Sequence, residues 1–381
     1  MRNLYFIILL LFSSYSLQSQ TLYKTITSVK LGNERELKIQ LPRNYDQNSQ
    51  KKYPLIIVLD GDYLFEPMAG NVDYYSYWDE IPEAIVVGVN QAKTRNDDSS
   101  YDPQRFLPEK KGAQFFEFLG MELLPFLDKT YRTSKFVAIA GHDLTSNFIN
   151  YYLFKENPLF HAYINLSPDL APEMSNRLSE TLSAASQPRW FYLCTGSNDV
   201  PELKKEIAQL DAQLSLIENP YLKYRFDTFE AATHYTLVSQ ALPKALEYIF
   251  AAYKPMGLKE YDEIVLEGNS PYDYLTEKYK VINENFGIQK TIRINDFLAV
   301  GKALEFVQNW DDLERLGELA RKHYPQSALG TYYLARAYEA NGQPKKAMKT
   351  YQSAYGQEEA AFVTVDFMLK KAELIKQDFG Y

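Results

Sequence analysis

The stretch Phe136-Val137-Ala138-Ile139-Ala140-Gly141-His142-Asp143-Leu144-Thr145 decides how the rest of the chain is read. The apolar run Phe136 to Ala140 predicts a strand buried on both faces, and Thr145 to Lys155 has a helical pattern. Strand, tight turn and helix are the setting of a nucleophile elbow, G-x-S-x-G. There the central side chain is lifted clear of the sheet edge, and the next amide, here that of Leu144, forms part of an oxyanion hole. Two residues break the pattern. Asp143 stands at the serine position and Thr145 at the second glycine. Because that glycine lets the helix approach a neighbouring strand, Thr145 predicts a looser or shifted elbow.

Working outward, similar short apolar runs recur at Leu55–Leu59, Ala84–Val89, Ala162–Leu166 and Trp190–Cys194. Two further strands, Ile26–Leu31 and Arg35–Leu41, are joined by the turn pair Gly32-Asn33. Helical patterns lie between and after the runs, at Gly112–Tyr131, Pro201–Glu218 and Tyr235–Tyr253. Alternating strands and helices predict an α/β fold with a doubly wound, mainly parallel sheet.

Beyond Tyr253 the character changes. Residues 254–295 read as a linker or extension, and from 296 to 381 only helical periods remain. Leu329-Gly330, Tyr333, Ala335, Tyr338, Gly342, Ala347, Tyr351 and Ala354 fit the helix pair of a tetratricopeptide-like repeat, with small residues at the close contact and aromatics filling the gap. A single repeat cannot bury its own face, so the flanking helices near Asp296–Tyr324 and Ala360–Gln377 are its stacking partners. A general helical bundle is the plainer alternative.

With these segments in place, residues Thr25 to Ala251 resemble the putative-esterase family of α/β-hydrolases, which includes esterase D and enterochelin esterases. The resemblance rests on Ser28–Tyr45, Tyr53-Pro54-Leu55 through Leu59-Asp60-Gly61-Asp62, and Ile85–Val89 leading to Arg95. It continues through Phe118–Tyr131, Gly141-His142, and Pro158-Leu159-Phe160 to Ser167-Pro168. It implies an α/β-hydrolase sheet, and it places the triad histidine at His234, in Ala232-Thr233-His234-Tyr235. The triad acid falls in Thr195-Gly196-Ser197-Asn198-Asp199, and Asp199 is the choice; a turn or helix-capping aspartate before Pro201 is the competing reading. The order Asp143, Asp199, His234 is the α/β-hydrolase order. The second oxyanion donor is expected from the loop after Leu59, at Gly61 or Asp62. His142 shapes the turn, while His161 and His323 are structural.

An aspartate at the nucleophile position changes the chemistry. A serine hydrolase needs a neutral hydroxyl whose proton a histidine can take. An ionised carboxylate has none to give, and its attack on an ester would form an anhydride. Two readings survive: a pseudoenzyme that binds or scaffolds, or a carboxylate nucleophile acting on sp³ carbon as in haloalkane dehalogenases and epoxide hydrolases. Weak esterase activity through Ser146 or Ser167 is a third route, disfavoured for Ser146 because the first helical turn points it away from the elbow.

Composition narrows the partners. The chain has 381 residues, a net charge of −8 and no clustered Lys/Arg run, which argues against nucleic acid. Arg2, the apolar stretch Leu4–Phe12 and the polar exit Ser16–Gln20 read as a signal peptide over 1–20, whose removal takes away one positive charge and leaves −9. The expected location is periplasmic or secreted. The single cysteine, Cys194, excludes an intramolecular disulfide and a lipoprotein anchor, and four scattered histidines show no metal-ligand spacing. No cofactor is expected, and no later segment is apolar enough to span a membrane. The 31 tyrosines suit grooves and partner surfaces, although a lineage habit of composition explains them equally well. The expected partners are a protein bound by the helical region and a small ester-like ligand.

Overall fold

The computed structural model describes residues 21–266 and 270–381. The segment read as a signal peptide lies outside the described residues. The chain divides into one unit ending at Ile249 and another over Phe250–Tyr381.

The first unit is built on eight strands: β1 Thr21–Ser28, β2 Asn33–Gln40, β3 Tyr53–Val58, β4 Ile85–Val89, β5 Thr133–His142, β6 Ala162–Leu166, β7 Arg189–Asn198 and β8 Leu222–Thr233. They form one sheet in the order β1-β2-β4-β3-β5-β6-β7-β8. β1 pairs antiparallel with β2, and β2 antiparallel with β4; the pairs from β4 through β8 are parallel. Every residue of β3, β4 and β6 is buried, which is why these strands read as unbroken apolar runs. Gly32, at a φ of 66°, turns the chain from β1 to β2.

Helices cover the sheet: Phe65–Tyr77, Lys111–Glu117, Leu124–Thr130, Leu144–Ile149, Met174–Ser183, Pro201–Leu214 and Leu237–Ile249. The single helix expected over Gly112–Tyr131 is interrupted by a π-helical segment, Phe118–Leu123. From this wider turn Glu122 accepts hydrogen bonds from the Ser28 hydroxyl and, at 3.0 and 3.1 Å, from the amides of Val29 and Lys30. It thereby ties the helix to the β1–β2 turn. Ile57, Ile139, Phe148, Tyr163 and Phe191 belong to the buried apolar cluster between sheet and helices.

Among the described residues the second unit has no named strand; its α-helices lie at Leu258–Leu266, Pro271–Phe286, Ile294–Phe306, Trp310–His323, Ala328–Ala340, Pro344–Gln352 and Val365–Phe379. The first two occupy the stretch read as a linker or extension. Gly317 and Gly330 lie where Trp310–His323 meets Ala328–Ala340. A Cβ on Gly330 would sit 2.7 Å from the Arg321 amide, and one on Gly317 2.9 Å from the Leu334 amide. Small residues therefore set this backbone approach. Among the described residues no helix is long and apolar enough to cross a membrane.

Candidate active site

The site lies at the carboxyl ends of the parallel strands, the usual place for ligands in such sheets. Three residues just past those ends have positive φ without being glycine: Asp60 after β3 (52°), Asp143 after β5 (59°) and Ser167 after β6 (43°). Each such conformation costs on the order of 1–3 kcal/mol, so the surrounding packing and bonding must hold it.

At the elbow that support is visible. A Cβ on Gly141 would stand 2.6 Å from the Thr145 carbonyl carbon, so only glycine admits the helix Leu144–Ile149 this close to β5. Thr145 does not loosen the turn, contrary to expectation. It is fully buried, its hydroxyl lies 2.6 Å from Asp60 Oδ2, and it accepts from the His142 amide at 2.9 Å. The hydroxyl supplies polar bonds at a position where glycine would supply only space.

The structure brings Asp143, His234 and Asp199 together. His234 Nδ1 is 2.8 Å from Asp199 Oδ1, and Nε2 is 3.9 Å from Asp143 Oδ1. The Asp199 side chain is fully buried. Burial opposes its charge, but hydrogen bonds from Ser167, the Val200 amide, His234 and Thr195 outweigh that and hold it below the ordinary carboxylate range. Its carboxylate also accepts hydrogen bonds from the Val200 amide and the Thr195 hydroxyl, at the turn before Pro201.

In the sequence Arg95 is marked only as a point of resemblance, yet it reaches the centre of the site. Its Nη1 donates to Asp143 Oδ2 at 3.1 Å, Nη2 to the His142 carbonyl at 2.8 Å, and Nε to Asp60 Oδ1 at 2.7 Å. A buried ion pair between Arg35 and Asp98, at 2.7 Å, anchors the short helix Arg95–Asp98 that presents it. Burial opposes the Arg95 charge, but hydrogen bonding and attraction to Asp60 raise its pKa. Tyr63 Oη lies 3.0 Å from both Asp60 Oδ2 and His142 Nδ1, while His142 Nε2 is 3.0 Å from the His234 carbonyl. Burial, with the nearby His234, pushes the His142 pKa down to about 4, so the ring is neutral at physiological pH.

The oxyanion donors need one correction. The Gly61 amide already donates to the Val89 carbonyl at 2.8 Å, because Gly61 packs against the end of β4, where a Cβ would meet backbone at 2.7 Å. The Asp62 carboxylate is also committed, accepting from the amides of Gln91 and Ala92. That leaves the Asp62 amide and the Leu144 amide, which heads its helix ahead of the first helical hydrogen bond. Ser146 is buried against Asn165. The Ser167 hydroxyl lies 3.2 Å from His234 Nδ1, on the Asp199 side of the ring, away from the nitrogen that faces Asp143. Among the described residues no His/Cys/Asp/Glu group could hold a metal ion.

With this geometry in hand, likeness to known proteins decides the lineage. A family model described as Putative esterase matches residues 28–249, more than half the chain. The chain belongs to that family. An uncharacterised protein from Capnocytophaga ochracea DSM 7271 is 28% identical, with a TM-score of 0.87, and the match covers 94% of this chain and 100% of the other. The BES protein from Bacillus cereus is 25% identical over 61% of this chain and 95% of its own, with a TM-score of 0.54. An IroE-like serine hydrolase from Shewanella oneidensis, 21% identical, covers 79% of this chain and 99% of its own at a TM-score of 0.59, and shares the fold. No curated protein matched the sequence. Within the family fold, the elbow of this esterase-like chain carries an aspartate.

Proposed function

We infer that this member of the esterase family is a pseudoenzyme, an exported binding or scaffolding protein whose nucleophile position has become part of an internal ion-pair network. The observation carrying this reading is the 3.1 Å contact between Arg95 Nη1 and Asp143 Oδ2, in a guanidinium that also grips Asp60. A carboxylate held by a half-buried guanidinium is stabilised in its ground state and so is a poorer nucleophile. This also weighs against Asp143 attacking sp³ carbon. The anion turns toward Arg95, and the His234 ring stays 3.9 Å away. The signal-peptide reading supports a periplasmic or secreted location, and the helical unit, read as tetratricopeptide-like, is the surface offered to a protein partner.

The test is turnover of p-nitrophenyl acetate and butyrate by the mature protein, beside Asp143→Ser and Asp143→Ala. Turnover confined to the serine variant supports a disabled nucleophile with an otherwise intact His234 and oxyanion hole. Wild-type turnover that survives Asp143→Ala overturns the site assignment. Wild-type turnover abolished by Asp143→Ala means that Asp143 itself takes part in ester cleavage, and overturns the pseudoenzyme reading.

A further inference from the structure

β8 ends the sheet on one side, so among the described residues this twelve-residue strand pairs only along its β7 edge. An outer edge of that length is a template for another strand. Its sequence, Leu222-Lys223-Tyr224-Arg225-Phe226-Asp227-Thr228-Phe229, places Arg225 and Asp227 on one face and Tyr224, Phe226 and Thr228 on the other. On the apolar face Tyr224 donates to Asp211 in the helix Pro201–Leu214, and Phe226 packs against the core. On the charged face Arg225 Nε donates to Asp227 Oδ2 at 2.9 Å and its guanidinium lies over the Tyr248 ring.

We propose that β8 pairs antiparallel with β8 of a second copy of this chain, about a two-fold axis at Phe226. The register follows from symmetry and charge. A two-fold normal to the sheet keeps each residue on its own face, so one residue must meet its own copy across the axis, and positions equally far on either side pair. Centred on Arg225, the axis sets arginine against arginine; centred on Asp227, aspartate against aspartate. An axis at Tyr224 opposes Lys223 to Arg225. At Phe226, Arg225 of each copy stands opposite Asp227 of the other, and this happens twice by symmetry. The same register places Tyr224 opposite Thr228 and Phe226 opposite itself. The Arg225–Asp227 pair within each strand thus becomes a four-charge array of alternating sign across the junction.

Sedimentation velocity on the full mature chain over a concentration series reads this out. The wild type dimerises. Asp227→Lys puts a cation beside Arg225 of its own strand and opposite Arg225 of the other, and raises the dimer dissociation constant by about tenfold or more. The swap Arg225→Asp/Asp227→Arg restores the dimer, because both the internal and the cross-strand pairs return. A second variant guards against misfolding: Phe226→Cys lies at the axis, so under oxidation two copies join through position 226, whereas Lys223→Cys does not crosslink. Cys194 is buried and does not interfere. A wild type monomeric throughout the series overturns the proposal. So does a dimer indifferent to Asp227→Lys, or crosslinking at 223 in preference to 226.

Discussion

Set side by side, the two arms of the site have diverged to different degrees. On one arm, His234 and Asp199 hold the geometry of a working acid–histidine pair, with a buried carboxylate 2.8 Å from Nδ1. On the other, the elbow keeps its backbone, φ 59° and ψ −119° at Asp143, while the side chain it displays is tied to Arg95. The elbow is held by Gly141, by Thr145 and by main-chain bonds from the Asp143 amide to Leu166 and from Asp169 to the Asp143 carbonyl. None of these contacts involves the side chain at 143. A serine could therefore be exchanged for aspartate without disturbing the fold, and the reverse exchange should be tolerated equally well.

That comparison breaks first on Asp143→Ser. If the acid–histidine arm is intact, the serine variant hydrolyses p-nitrophenyl acetate on the order of 10³-fold faster than the wild type. A folded serine variant with no gain would show that one arm had decayed beyond geometry. Placing Asp199→Asn on the serine background sharpens the point. If Asp199 orients the imidazole, kcat falls about 10²-fold with little change in KM; if it serves only the Val200 turn, melting temperature drops and kcat holds.

The two arms were also unequally legible in the sequence. β3, β4 and β6 announced themselves because burial on both faces leaves no polar position to break the run. β8 did not, since nearly all of its residues are only half-buried or exposed and it carries Lys223, Arg225, Asp227 and Glu230. The helix Phe65–Tyr77 was hidden by Pro67, Gly70 and Asn71, which are poor helix formers stabilised here by packing of Phe65, Met68 and Val72. The elbow was readable because its turn is a local affair of five residues. The Arg95–Asp143 pair spans 48 positions and leaves no periodic trace. Its one available signal was positional: Asp60 and Arg95 each follow closely on a predicted parallel strand, where α/β sheets gather functional groups.

Between the arms stands His142, bonded to Tyr63 on one side and to the His234 carbonyl on the other. Its pKa, about 4 in the folded chain, lies below the ordinary histidine value near 6.5. The unfolded state therefore binds the extra proton first as the medium is acidified. Stability is full above pH 6.5 and is lost progressively as pH falls toward 4, by roughly 3 kcal/mol from this group. His161, also pushed down to about 4, contributes with the same sign. Denaturation of the wild type and of His142→Gln between pH 7 and 4 checks this, with the variant showing the shallower decline. Parallel curves would mean that His142 is not the group that titrates.

The smallest expected effect tests why the elbow did not loosen. Thr145→Val keeps the shape and removes the hydroxyl, leaving the buried His142 amide without its acceptor while Asp60 retains Tyr63 and Arg95. An unsatisfied buried amide costs about 1–3 kcal/mol, so the first unit should unfold at lower denaturant with an unchanged m-value. Thr145→Gly leaves the same amide without its partner but opens space for water, and should cost no more than valine despite its greater backbone entropy. If valine is neutral, the hydroxyl bonds are incidental and Gly141 alone sets the turn. If both variants destabilise while Asp143→Ser does not, the elbow's backbone is maintained by residues around the nucleophile position and independently of what that position carries.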